Sequence, residues 1–217
     1  MATKSATRWG ISIPQHFFTG PVDVPLIHRF VTRAEALGYD SIWVQERVVS
    51  DFAVMEPVSL LCYVAALTSR VRLGSSVIIS GLRNPGHFAR LLASLDQLSG
   101  GRLIVGVGLG NSGRDYPAFG LTEEGRVRRF IEGIELMKAV WTQPSVTHRG
   151  EFWQLGNFQM EPKPFQKPHP PIWFGAHLPL ALKRAVRHGN GWMGAGSTTL
   201  DEFRGHVPIV REALDEK

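Results

Sequence analysis

The chain has 217 residues, room for one large domain or two small ones and too many for a disulfide miniprotein. Hydrophobic residues make up 43% and charged residues 20%, a balance that buries a core and excludes disordered and collagen-like classes. The net charge of +5 comes from scattered positions, 18 of the 24 basic residues being arginine, so no nucleic-acid partner is expected and an anionic small molecule is.

In chain order, short apolar runs alternate with amphipathic helices, the pattern of an α/β fold. The opening residues carry no apolar signal segment and no apolar run approaches the ~20 residues of a membrane span, so a cytoplasmic protein without membrane partners is expected. A strand over 9–13 leads to a helix that Asp23 caps, with Leu26, Phe30, Ala34 and Leu37 on one face and Gly38 as its stop. A second strand over 41–44 precedes a helix opened by Glu56-Pro57 and running through Leu60, Leu61 and Val64. The one cysteine, Cys62, lies in this apolar stretch and reads as a buried thiol.

A third strand over 71–79 is followed by a helix with Asn84 as cap and Pro85 as first residue, ending at Gly100-Gly101. A fourth over 103–107 runs into a glycine-rich loop, and the next helix is predicted to start at Thr122 with Glu123 and Glu124, carrying Val127, Phe130, Ile131, Ile134 and Trp141. Residues 142–170 are rich in Pro, Gly and aromatics, and Gly150, Phe152 and Trp153 read as a hairpin inserted before strand five. Strands over 171–175 and 191–195 flank a helix from Pro179 to Gly189. A last helix opens on the capping box of Thr199 and Glu202, with Pro208 expected to break or kink it.

The first four strands begin about 30 residues apart, the length of a βα unit. An open doubly wound sheet and a (β/α)8 barrel both fit that period. Gly108-Leu109-Gly110-Asn111-Ser112-Gly113 matches the dinucleotide pattern by letter. It follows the fourth strand rather than the first, and Arg114-Asp115-Tyr116-Pro117 separates it from the predicted helix, which argues against an NAD(P) dehydrogenase. Its free amides suit an anion, as do those of Gly175-Ala176-His177-Leu178-Pro179, where strand five meets a helix start. No metal-ligand spacing, nucleophile elbow or P-loop occurs, and no metal is expected.

Several segments, taken together and in order, resemble the luciferase-like monooxygenase family of flavin- and F420-dependent oxidoreductases. They are Trp43-Val44-Gln45-Glu46-Arg47, Leu73-Gly74-Ser75-Ser76-Val77, Arg83-Asn84-Pro85, the run from Leu95 to Gly108, Gly150-Glu151-Phe152-Trp153, Pro170 to Ala176 and Gly189-Asn190-Gly191-Trp192. The resemblance implies a (β/α)8 TIM-barrel type fold, here incomplete with about six βα units, as a single domain over 1–217 with an insertion at 142–170. It implies F420 or FMN as cofactor and a small organic molecule as substrate of hydride transfer or monooxygenation. A non-catalytic cofactor-binding protein of the same fold is the alternative.

By the same resemblance, the ring of the cofactor lies against strand three, where members often have a non-prolyl cis peptide; Ser76 and Val77 are the matching pair. The cofactor phosphate falls to Gly108, Asp115 and Tyr116 on one loop and to Ala176, His177 and Leu178 on the other; Asn111, also a cofactor-binding candidate, stands where some F420-dependent members carry a catalytic glutamate, so the same acid chemistry is not expected there. Glu46 and Arg47 stand where members carry an acid and often a histidine facing the ring. Arginine stays protonated, so Arg47 suits anion stabilisation, while Glu46 and His16 are the candidates for proton transfer. A complete barrel needs eight strands, so a truncated or naturally short barrel is expected, with unpaired edges at strands one and six that favour a homo-oligomer.

Overall fold

The computed structural model describes residues 7–217. Six strands form one parallel sheet: β1 (Gly10–Ser12), β3 (Ser41–Val44), β5 (Arg72–Ser75), β6 (Leu103–Val107), β9 (Ile172–Gly175) and β10 (Gly191–Met193), in that spatial order. Because the order repeats the order in sequence, the sheet has no switch point of the kind a dinucleotide fold uses. It is the incomplete α/β barrel expected of six βα units. The register pairs Gly10 with Ser41 and Ser41 with Arg72, so equivalent positions recur every 31 residues.

The outer layer is built of α1 (Val24–Ala36), α2 (Pro57–Leu67), α3 (Pro85–Leu98), α5 (Arg126–Thr142), α6 (Pro179–His188) and α7 (Leu200–Asp215). Their starts follow the sequence signals. Asp23, Glu56 and Asn84 each accept from a backbone N–H three residues on, and Thr199 with Glu202 forms the capping box. Covered by helices on one side and by interior side chains on the other, β6 is buried at all five positions. At the amino-terminal end of the sheet Arg102 donates to the carbonyls of Ala65, Thr68, Val71 and Ser99, locking α2 and α3 to the strands.

On the inner face the rings of Trp43 and Trp173 lie 5.5 Å apart. Gly10 and Gly74 leave the room that Trp43 fills, and Gly191 the room that Trp173 fills. Gly106 has a tighter role: a Cβ there would stand 1.6 Å from the Ser75 carbonyl oxygen, so β5 and β6 meet only because it has none.

Four features differ from the sequence reading. The third strand ends at Ser75, and the chain leaves it through a cis Ser76–Val77 peptide and a 3-10 turn over Ser80–Leu82 instead of continuing to 79. A two-stranded ribbon, β2 (His16–Phe17) with β4 (Ala53–Val54), is too short to leave a periodic signal. The segment 112–118, read as a break before a helix at Thr122, is itself a short helix, α4 (Ser112–Ala118), and α5 starts at Arg126. The later start has a cause in packing: Gly125 is left-handed at φ 68°, and the Phe152 ring occupies the place a Cβ would need. Finally, α7 runs through Pro208 unbroken, its start fixed by the capping box and its far end tied to α6 by Lys183 with Glu212 and Glu216.

The insertion is a hairpin of β7 (Val146–Arg149) and β8 (Gln154–Phe158), as the sequence indicated. Glu132 of α5 holds it, accepting from the amides of Phe152 and Trp153 and bonding His148 at 3.0 Å. Among the described residues no helix is long and apolar enough to cross a membrane.

Candidate functional site

Parallel strands point their carboxyl ends to one side, and there the sheet opens on a cavity of about 730 Å³. One wall is Ser76 and Val77, just past β5. Beside it run the two loops that follow β6 and β9, represented by Gly108, Leu109 and Gly110 and by Ala176, His177 and Leu178. Val77 is wedged between them: a Cβ on Gly108 or on Gly175 would stand 2.5 Å or 2.9 Å from its methyl groups. Two glycines therefore let the bulge after β5 reach the loops of both neighbouring strands. Six predicted residues, Ser76, Val77, Gly108, Ala176, His177 and Leu178, are thus brought together on one cavity.

The other six stand off it. Asp115 turns back on its own loop, accepting from the Asn111 amide at 2.8 Å and pairing with Arg114 at 3.3 Å, so it closes the start of α4. Asn111 is exposed at the start of that helix, its side chain making no cap. Tyr116 is fully buried behind the wall against Gly81, and its hydroxyl finds no partner among the described residues. Burial pushes that phenol up, against the opposing pull of Arg126 and Arg129.

Glu46 is directed away from Arg47. Its carboxylate is 2% exposed, accepts from the Ile79 amide at 2.6 Å, and takes both ends of the Arg83 guanidinium. This buried fork fixes the segment immediately after Ser76–Val77. Arg47 is exposed and lies over the Phe52 ring, while His16 sits on β2 beside the same ring. Burial, and then Arg47, lower the His16 pKa from its ordinary value.

Sequence reasoning missed three polar residues of the cavity. Gln45 lines the cavity and is held by Gln15, which donates to the Gln45 carbonyl and accepts from its amide. Arg126, the first residue of α5, and Arg184 of α6 also line it. Neither guanidinium has a hydrogen-bonding or carboxylate partner among the described residues, and burial lowers the Arg184 pKa. Their signal was diluted among 18 arginines; only the late, Phe152-imposed start of α5 singles out Arg126.

The cavity therefore combines apolar surface from Val77, Leu109, Phe130, Phe174 and Met193 with two cations unpaired among the described residues and two glycine-bearing loops. That combination suits a flat ring joined to an anionic group. No group of three or more His, Cys, Asp or Glu among the described residues is placed to hold a metal ion.

A family model described as luciferase-like monooxygenase matches residues 8–217. The chain is 29% identical over 209 residues to an F420-dependent glucose-6-phosphate dehydrogenase of Amycolatopsis mediterranei (strain U-32), a span of 90% of this chain and 60% of that protein. It is 27% identical over 195 residues to an FMNH(2)-dependent dimethylsulfone monooxygenase of Pseudomonas putida, 87% of this chain and 53% of that protein. The crystal structure of monooxygenase RslO1 from Streptomyces bottropensis superposes with a TM-score of 0.85 at 28% identity, covering 97% of this chain and 66% of that one. The chain spans between half and two-thirds of the length of these relatives.

Proposed function

Since this chain belongs to the luciferase-like monooxygenase family, we propose that its cavity binds F420 or reduced FMN for hydride transfer to, or monooxygenation of, a small organic substrate. The observation that carries this reading is the convergence of Ser76 and Val77, both glycine-bearing loops and the unpaired Arg126 and Arg184 on one cavity. The relatives described above include proteins named for each of the two cofactors.

When bound, the cofactor supplies the redox chemistry, and the protein contributes placement and charge. Val77 and its neighbours in the bulge form an apolar support for a ring. Arg126, Arg184 and the amides of Gly108, Ala176, His177 and Leu178 receive the anionic end. Glu46 acts as a positioning residue: with both carboxylate oxygens engaged, it anchors Ile79 and Arg83 and so holds the bulge in place. Arg47 and His16 stand at the strand ends near Gln45, one a permanent cation and the other a neutral imidazole able to exchange a proton.

Equilibrium titration with F420 and with FMN, followed by cofactor fluorescence, tests the proposal. Saturable binding of at least one is expected, and binding of neither would overturn it. A protein that binds cofactor yet never passes a hydride would be the non-catalytic alternative, which single-turnover oxidation of the bound reduced cofactor separates from an enzyme.

A further inference from the structure

Around the β2–β4 ribbon stands a group of side chains of which the cofactor reading draws only on Arg47 and His16, leaving Phe18 and Phe52 without a role. Phe18, one residue past β2, is 74% exposed, and its ring lies 4.5 Å from that of Phe52. His16 approaches both, at 6.4 Å from Phe18 and edge-on at 6.0 Å from Phe52. Arg47 sets its guanidinium 4.8 Å from the centre of the Phe52 ring, and no carboxylate of the described residues lies within 4.0 Å of it. The group is joined to the cavity through adjacent residues. Gln15, next to His16, clamps the backbone of Gln45, and Gln45 lines the cavity wall two residues before Arg47.

Each member points to the same ligand. Phe18 offers an aromatic face mostly in solvent, where a further ring gains both area and stacking geometry, and Phe52, half-buried under Arg47, backs it. An arginine over an aromatic face keeps its edge N–H groups free for a carboxylate. His16 is neutral at neutral pH, since burial and then Arg47 lower its pKa, so the group presents one positive charge. We propose that Phe18, Phe52 and Arg47 form the substrate-recognition wall of this protein and that they take a planar aromatic carboxylate, its ring on the phenylalanines and its carboxylate on Arg47. The proposal rests on the cavity being the cofactor site, because it puts the substrate at that cavity's edge.

Ligand-observed NMR with benzoate, benzyl alcohol and cyclohexanecarboxylate tests the two halves of the recognition, with FMN and F420 titrated into the same preparation. Benzoate is expected to bind at least about tenfold tighter than either of the others, the size of one charge-assisted hydrogen bond or one ring stack. Arg47→Gln should remove the preference for benzoate over benzyl alcohol, and Phe52→Leu the preference over cyclohexanecarboxylate, with Arg47→Lys restoring part of the former. Circular dichroism confirms that each variant folds. Equal binding of the three probes, or binding of none while a cofactor binds, would overturn the inference and leave the cofactor reading standing. Benzoate selectivity with neither cofactor binding would overturn the cofactor reading and, with it, the place of this group as a substrate wall. A dimer that Phe18→Ser dissociates would show the wall to be an interface between copies, and would also overturn it.

Discussion

Replacing Glu46 by alanine is the most direct test of its assignment as a positioning residue. Its carboxylate is 2% exposed and satisfies three donors, the Ile79 amide and two guanidinium nitrogens of Arg83. Removing one partner of a buried pair costs about 3–5 kcal/mol, because the other charge is left desolvated and alone. Two features bring the cost to the lower end of that range. Arg83 is 23% exposed, and Glu56 stands 3.6 Å from it as a second, more solvated partner. A loss of about 3 kcal/mol lowers the melting temperature of a chain this size by about 6–12 °C. Arg83→Ala should cost a similar amount, and the double variant much less than both together, with a coupling of about 2 kcal/mol by thermal or urea denaturation. A loss below about 1 kcal/mol, or additive singles, would refute the reasoning and return Glu46 to the role of a free acid or base.

Three further outcomes are expected. Arg126→Ala and Arg184→Ala should each weaken cofactor binding by about tenfold or more while leaving thermal stability unchanged, since neither cation has a partner among the described residues; fluorescence titration and melting curves read the two effects. Glu132 is pulled below its ordinary value of 4.5, the desolvation that would raise it being outweighed by His148 and the Phe152 and Trp153 amides. Its stabilisation is therefore complete above the unfolded value and disappears as pH falls through the lowered native one, so wild type and Glu132→Gln should converge in melting temperature at acid pH and separate above it. Gly106→Ala should prevent stable folding or cost more than about 3 kcal/mol in urea denaturation, because the new methyl meets a backbone carbonyl that cannot rotate away.

The sheet was readable because parallel strands covered on both faces must be apolar, and because the helix caps at Asp23, Asn84 and Thr199 use side chains whose chemistry is local. What was not readable depends on contacts between distant residues. The start of α5 is set by Phe152, 26 positions beyond Arg126, and neither residue signals it alone. The partner of Glu46 is the guanidinium 37 residues on rather than the one beside it, a choice made by the turn at Ser80–Leu82. The family resemblance implies Asp115 and Tyr116 for the phosphate loop, whereas here α4 directs one back to the Asn111 amide and buries the other against Gly81.

The strand order also bears on how the chain acquires its structure during synthesis. Within the main sheet every pairing joins strands that follow one another in sequence order, and the first four strands begin 31 residues apart. Among these six strands none pairs with one distant in strand order, so loop closure between them stays short and its entropic cost low. At about 5–20 residues per second, a new βα unit leaves the ribosome every ~2–6 s, far longer than the microseconds a short segment needs to collapse. These six strands can therefore be added one at a time in the order of translation, β10 joining the pocket only after both of its glycine-bearing loops are already in place.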